Sequence, residues 1–472
     1  MACRNSILLS LGLLFLMLLG VFQKIAPGNF DDLTAHYLAS KSWVTPASRR
    51  SDFWDNRYKI SKFCGTSLKC KARTVGRLSV MDAYPIPSAF ISIFDHKISK
   101  TLMAKCRRIE LATLAGLLSS WFFCALFILL ASSVVNAQSH NEIGGLKFHE
   151  VFAAILLAAL FSQGEVFNFF NLGHSDFENQ LPINFVPRSS VNLLVFFSVA
   201  AALFKRYYWA IGSCALTFLF HTVHSEAAVL IVIPALFWSR WDSFRDEGLG
   251  KRIWNSIKFV LPLLFLPVFF RLFAQNQFRM SLNEVVEVGR GGELLAIDPI
   301  SRVPGLLLIV FFALSFFFFF YLKKQRTLIF LSLYSSAALV MFKALSLLLV
   351  KSEFNPGQIT SRFFGILGPL FGGSLIVWAI YLIRRRYNFS PSKILTIVCG
   401  IVFLFQALRF QDFKRNWEYI WAGEKGLCSN IENSILGVCP KTWKEANFKR
   451  KHEAEVHLGL AHILESCEEP PH

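Results

Sequence analysis

A chain of 472 residues in which 54% are apolar, only 17% are charged and 50 are Phe, with a mean hydropathy of +0.46, is too apolar for a soluble protein of two or three domains. The net charge of +18 does not make it a nucleic-acid binder, because most of its Lys and Arg lie in short loops at helix ends and no soluble domain offers a groove. Composition therefore predicts a polytopic membrane protein.

The first apolar run, 7–22, follows Arg4. Gln23-Lys24-Ile25-Ala26-Pro27 is a poor cleavage site, so the run reads as an uncleaved signal anchor rather than a signal peptide. A long polar segment, 24–110, comes next. Within it, NFDDLTAHYLASKSW (29–43) opens on Asp31 and Asp32 and continues with a helix-compatible pattern that carries His36. The plain explanation of those acids is helix capping, worth about 1 kcal/mol. In DAYPIPSAF (82–90), Pro85 and Pro87 predict an extended or turning stretch rather than a regular helix. From 91 to 110 the pattern fits an amphipathic helix on the membrane surface, with Phe94, Ile98 and Leu102 along one side.

Beyond this point apolar runs follow one another, several of them reaching the roughly 20 residues needed to cross a hydrocarbon core about 30 Å thick. In lipid only a helix satisfies its own backbone within one segment, so each predicts a helix. Taking the basic residues of the short loops as cytoplasmic (Lys147, Lys205 with Arg206, Arg240 to Arg252, Lys323 to Arg326, Arg384 to Lys393) forces the runs into pairs. The result is an all-α polytopic transmembrane bundle of about eleven spans, roughly 6–23, 111–134, 148–166, 190–204, 208–222, 225–239, 256–275, 303–322, 327–350, 362–383 and 393–410. It has a large non-cytoplasmic first loop, 24–110, and a non-cytoplasmic polar tail, 411–472. The two short runs flanking HTVHSE (221–226) leave a single kinked helix as the alternative to a pair. The basic first loop has no say in orientation, since loops beyond about 60 residues escape the charge rule.

Although only basic residues were used, this arrangement gathers the acidic and His-containing clusters on one outer face. They are the segment 29–36, GHSDFE (173–178) with His174, Asp176 and Glu178, Arg188 at the start of a span, HTVHSE with His221, His224 and Glu226, the loop 275–302, and Arg362 before a late span. Ionisable groups at bilayer depth cost at least a few kcal/mol each, which makes such clusters candidates for function. The alternation in GHSDFE suits a divalent cation, with a solvated loop as the alternative. The i, i+3 spacing of His221 and His224 sets both on one helical face beside Glu226, either to contact substrate or to join helices by polar bonds. Arg188 reads equally as a snorkelling side chain in a first turn. Lys343 falls inside an apolar run and would need a partner there. Of the ten Cys, Cys124, Cys214 and Cys399 fall in predicted helices, whereas Cys64/Cys70 and Cys428/Cys439 are spaced for disulfides in an oxidising compartment.

The paired acids after a first span, the Tyr84-Pro85-Ile86-Pro87 element before the second, and the His-tipped run VPRSSVNLLVFF through HTVHSE to Phe237 together resemble the GT-C superfamily of integral-membrane glycosyltransferases, in particular bacterial members of unassigned substrate. The resemblance covers the outline of the first half of the chain. Beyond that half it extends only to topology and to the position of Arg362. It implies a cell-envelope enzyme of the bacterial inner membrane that moves a sugar from a polyprenyl-phosphate carrier to a lipid, glycan or protein acceptor outside. Asp31 or Asp32 would then be the general base or a metal ligand. Arg188, Arg362, His221 and His224 would donate to the departing phosphate, with His36, His174, Asp176, Glu178 and Glu226 as further contacts. The cofactor is left open, a divalent cation being the candidate. The rival reading is a flippase, exporter or assembly component that binds a lipid-linked sugar without cleaving it.

Overall fold

The computed structural model describes residues 12, 40, 85–98, 105–139, 141–161, 187–244, 246–278, 314–315, 327, 330–335, 337–338, 357–387 and 389–407. Among them the chain is helical throughout, apart from turns and one isolated bridge between Ile143 and Leu146. We number the helices bounded among these residues in chain order. They are α1 (Pro85–Ile98), α2 (Lys105–Gln138), α3 (Phe148–Phe161), α4 (Pro187–Leu203), α5 (Tyr207–Thr217), α6 (Thr222–Ser243), α7 (Leu249–Phe278), α8 (Gly357–Tyr387) and α9 (Pro391–Ala407).

Three stretches, Ala112–Gln138, Leu249–Phe269 and Ile366–Tyr387, are long and apolar enough to cross a membrane, at 27, 21 and 22 residues. They mark a helical membrane protein. The way apolar side chains are distributed agrees. On α2, Phe122, Leu126, Leu130 and Val134 recur every four residues and are exposed, as are Ile257, Leu261, Phe265 and Phe269 on α7. In water such stripes would be a liability, whereas against acyl chains they are the normal outer surface. By contrast α3 and α4 are buried on nearly every side, so they form the centre of the bundle.

Small residues let the helices approach. A Cβ on Gly373 of α8 would come within 2.8 Å of the Ile155 Cα on α3, and one on Gly372 within 3.0 Å of the Ala158 Cβ. Lipid tails are as apolar as Leu, so close backbone packing of this kind replaces the hydrophobic effect as the force between helices.

The turns at one end are linked into a rim. Gly144 and Gly145, at φ 63 and 76, form the tight turn between Ile143 and Leu146, a conformation that side-chain-bearing residues rarely adopt. The Gly145 carbonyl accepts from Arg384 of α8. Glu150 accepts 2.9 Å from the Lys147 amide, which caps α3, and 2.7 Å from the Ser392 hydroxyl, which ties α3 to α9. Asn136 at the end of α2 lies 2.7 Å from His149. Phe148 meets Phe204 edge-on at 5.4 Å, and the Tyr207 hydroxyl donates to the Ser239 carbonyl at 3.2 Å. The basic turns at 147, 205–206, 240 and 384–393 thus share one end of the assembly.

Helix α4 closes in a Schellman motif in which the Arg206 amide bonds the Ala201 carbonyl and the Lys205 amide bonds the Ala202 carbonyl. Lys205 takes the left-handed position, φ 60, that Gly usually fills, at a cost of roughly 1 kcal/mol.

Two expectations change. Residues 91–110 are not one amphipathic helix: α1 ends at Ile98 and α2 begins at Lys105. Moreover, Pro85 and Pro87 do not impose an extended stretch. They occupy the first and third positions of α1, where a backbone N–H has no intrahelical acceptor and Pro therefore loses nothing. The helix then packs on α2, with Ile91 so near Gly116 that a Cβ there would lie 2.5 Å from its backbone.

Candidate functional site

The end opposite the basic rim is built around the tip of the α5–α6 hairpin. Tyr207, which opens α5, bonds Ser239 near the end of α6, so the two helices run antiparallel and HTVHSE is a reversal. A single kinked helix is excluded. The reversal is tight: Phe218, Leu219 and Phe220 bond back three residues, narrowing the end of α5 to a 3₁₀ turn, and α6 begins as the Ser225 amide and hydroxyl both bond the His221 carbonyl.

His221 is buried in this turn. Beside it the hairpin and α4 supply small polar groups that hydropathy does not reveal. Ser189, Ser190 and Asn192 on α4, Thr217 on α5 and Ser225 on α6 are all at most 1% exposed, a concentration of buried polarity that needs partners inside the bundle. Thr217 donates 2.6 Å to the Cys214 carbonyl, and the Ser190 carbonyl accepts from the Cys124 thiol of α2 at 3.4 Å. Deeper in, the Ser198 and Ser213 hydroxyls meet at 2.6 Å and fix the register between α4 and α5.

The first loop reaches this tip. The Ile86 amide, beside the two prolines, donates 3.1 Å to the Leu219 carbonyl, an acceptor left open by the end of α5. Ser40, four residues beyond His36, is helical and buried, and its carbonyl accepts from Ser92 of α1 at 3.2 Å. Ser40 is therefore joined to α1, and α1 to the hairpin tip.

Heights follow from a rise of 1.5 Å per residue. Measured from the basic rim, Ser190 lies about 21 Å out along α4, and the hairpin tip about 20 Å. Arg362 lies about 33 Å out along α8 from Arg384, and α2 continues to about 46 Å from Asn136. By length, α2 and α8, at 34 and 31 residues, exceed both α5 at 11 and α6 at 22.

Of the residues singled out in the sequence, His221 lies buried in the α5–α6 reversal, His224 and Glu226 occupy helical positions in the first turns of α6, Arg188 lies in the first turn of α4, and Arg362 lies in the N-terminal part of α8. Asp31, Asp32, His36, His174, Asp176, Glu178 and Lys343 lie outside the described residues, as do Cys64/Cys70 and Cys428/Cys439. Among the described residues no group of His, Cys, Asp and Glu is arranged to hold a metal ion, and Cys124, Cys214 and Cys399 are buried free thiols. No protein-family model, curated protein or solved structure matches the chain.

What this end offers chemically is a set of buried hydroxyl, amide and imidazole groups on α4, α5 and α6. Such a set can hold a polar or anionic head on an apolar tail. It supplies hydrogen-bond donors without presenting a full charge to lipid.

Proposed function

We propose that the chain is a GT-C-like glycosyltransferase that moves a sugar from a polyprenyl-phosphate donor to a lipid, glycan or protein acceptor at the non-cytoplasmic face. The observation that supports this reading best is the buried His221 in the α5–α6 reversal, two residues beyond the Leu219 carbonyl to which the Ile86 amide of α1 donates. A polyprenyl donor has its tail in the hydrocarbon and its phosphate at the surface, so its reacting carbon must be met near the membrane boundary. In this reading the chain spans about eleven times in a bacterial inner membrane, N-terminus inside and 411–472 outside, with the basic rim cytoplasmic.

The division of roles follows from charge. The acceptor hydroxyl loses its proton as it attacks the anomeric carbon, which requires a carboxylate within hydrogen-bond reach; Asp31 and Asp32 supply it. The carrier phosphate that departs gathers negative charge, and Arg188, Arg362, His221 and His224 supply cationic or N–H donors to it. His36, His174, Asp176, Glu178 and Glu226 complete the outer lining, and a divalent cation is the one cofactor that this residue set could recruit.

Single cysteines at Asp32 and Thr222, in a background whose polar-segment cysteines are replaced, test the site in intact cells. Both should be labelled from outside and both protected by a polyprenyl-phosphate analogue. Labelling of either only from the cytoplasm would overturn the topology and the transferase reading together. Transfer from a polyprenyl-phosphate sugar that survives Asp31→Asn combined with Asp32→Asn would leave the topology standing and remove the catalytic role.

A further inference from the structure

Helix α6 continues through Pro234. A proline there has no N–H to give the Leu230 carbonyl four residues back, and its ring crowds that carbonyl, so the helix is weakest at this turn. Leu230 lies on an exposed side of α6, and in lipid an open carbonyl finds no water to replace the lost bond. The bond is supplied from another part of the chain. The Tyr334 hydroxyl lies 3.4 Å from the Leu230 carbonyl oxygen and 3.3 Å from that of Ile231, and donates between the two.

Tyr334 is itself held in place. It belongs to the helical residues 330–335, where its ring stacks on Phe330 at 5.5 Å, and Phe330 in turn stacks on Trp238 of α6 at 4.6 Å. Phe330 thus meets α6 after the proline and Tyr334 meets it before, so one helical turn straddles the break like a splint. The two halves of α6 are fastened differently. In the rim half, 235–243, the Ser239 carbonyl accepts from Tyr207 and the Trp241 carbonyl accepts from the Arg252 Nε at 2.8 Å. There too the Arg240 guanidinium sits in an aromatic cage, 4.9 Å from the ring centre of Tyr207, 4.9 Å from that of Phe244 and 4.8 Å from that of Phe259. The tip half, 222–233, carries His224 and Glu226 and packs inward through Ala228, Val229, Ile231 and Val232, apolar contacts with no preferred direction.

We propose that Pro234 is a hinge in α6 and that Tyr334 is its latch. With the hydroxyl in place the helix is held across the break. When the hydroxyl leaves, the tip half bends about residues 230–234 and the anchored rim half stays. The latch is one shared hydrogen bond, so opening is a modest and reversible step rather than an unfolding one. The device sets the position of His224 and Glu226 whatever they bind, and it stands without the transferase reading.

Hydrogen exchange of the full-length protein in nanodiscs, followed by mass spectrometry of peptides from each half of α6, tests the device through two substitutions. Tyr334→Phe keeps the ring stack and removes only the hydroxyl; it should speed exchange in 222–233 about tenfold and leave 235–243 unchanged. Pro234→Ala gives the Leu230 carbonyl an intrahelical N–H, so it should slow exchange in 222–233 below wild type and make a further Tyr334→Phe nearly silent. Unchanged exchange in Tyr334→Phe would overturn the latch, and no slowing in Pro234→Ala would overturn the hinge. Acceleration spread evenly over both halves would mark loosened packing instead. An equal effect of Tyr334→Phe with and without Pro234 would likewise overturn the proposal, since the bond would then have nothing to do with the proline.

Discussion

Glu150 shows how much one side chain can organise when it is buried with all its partners in place. Its two oxygens accept from the Lys147 amide and the Ser392 hydroxyl, so a single carboxylate starts α3 and ties it to α9. Glu150→Ala should cost about 1 to 2 kcal/mol, read as a lower unfolding temperature in detergent, because it orphans a capped amide and a half-buried hydroxyl together. Glu150→Gln keeps one acceptor and should recover part of the loss. At this scale the sequence is only partly legible. His221 stands out because an ionisable group interrupts an apolar run, but Ser189, Asn192, Thr217 and Ser225 do not, since small hydroxyl and amide groups barely disturb hydropathy. Nor could the Arg240 cage be read, because its rings come from positions 207, 244 and 259, which only the fold brings together.

Among the elements, the helices best anticipated are those whose boundaries coincide with a change from apolar to charged residues. The expected span 190–204 became α4, and 111–134 became the middle of α2; both end where basic or polar residues meet the membrane boundary. The polar break at 221–226 signalled a hairpin, and it is one. Where position within an element matters more than residue type, the reading failed: two prolines that would break a helix interior instead begin α1. The docking of α1 on the hairpin makes a direct prediction. Cysteines at Ile86 and Leu219, whose backbones are joined by a 3.1 Å hydrogen bond, should cross-link under mild oxidation, seen as a mobility shift that reducing agent reverses. A cysteine at Ile93, on an exposed part of α1, paired with the one at Leu219 should not. Gly373→Leu should separate α8 from α3, with a loss of folded yield far beyond that of Gly400→Leu, where a side chain meets open space.

For the molecule as a whole, the helix lengths are unequal in a consequential way. The α2 span runs for 27 residues and α6 for 22, whereas α5 has only 11 and reaches about 16 Å before its reversal. A bilayer matched to α2 is therefore thicker than α5 is long. In the transferase reading, a bilayer thinned beside α5 would leave less hydrocarbon for a charged headgroup to cross. Reconstitution into bilayers of increasing acyl-chain length should therefore weaken protection of the Thr222 probe by the polyprenyl-phosphate analogue as thickness grows, while leaving the folded fraction nearly constant. The membrane's own thickness would then act as a control on the protein, set by a helix a few turns too short.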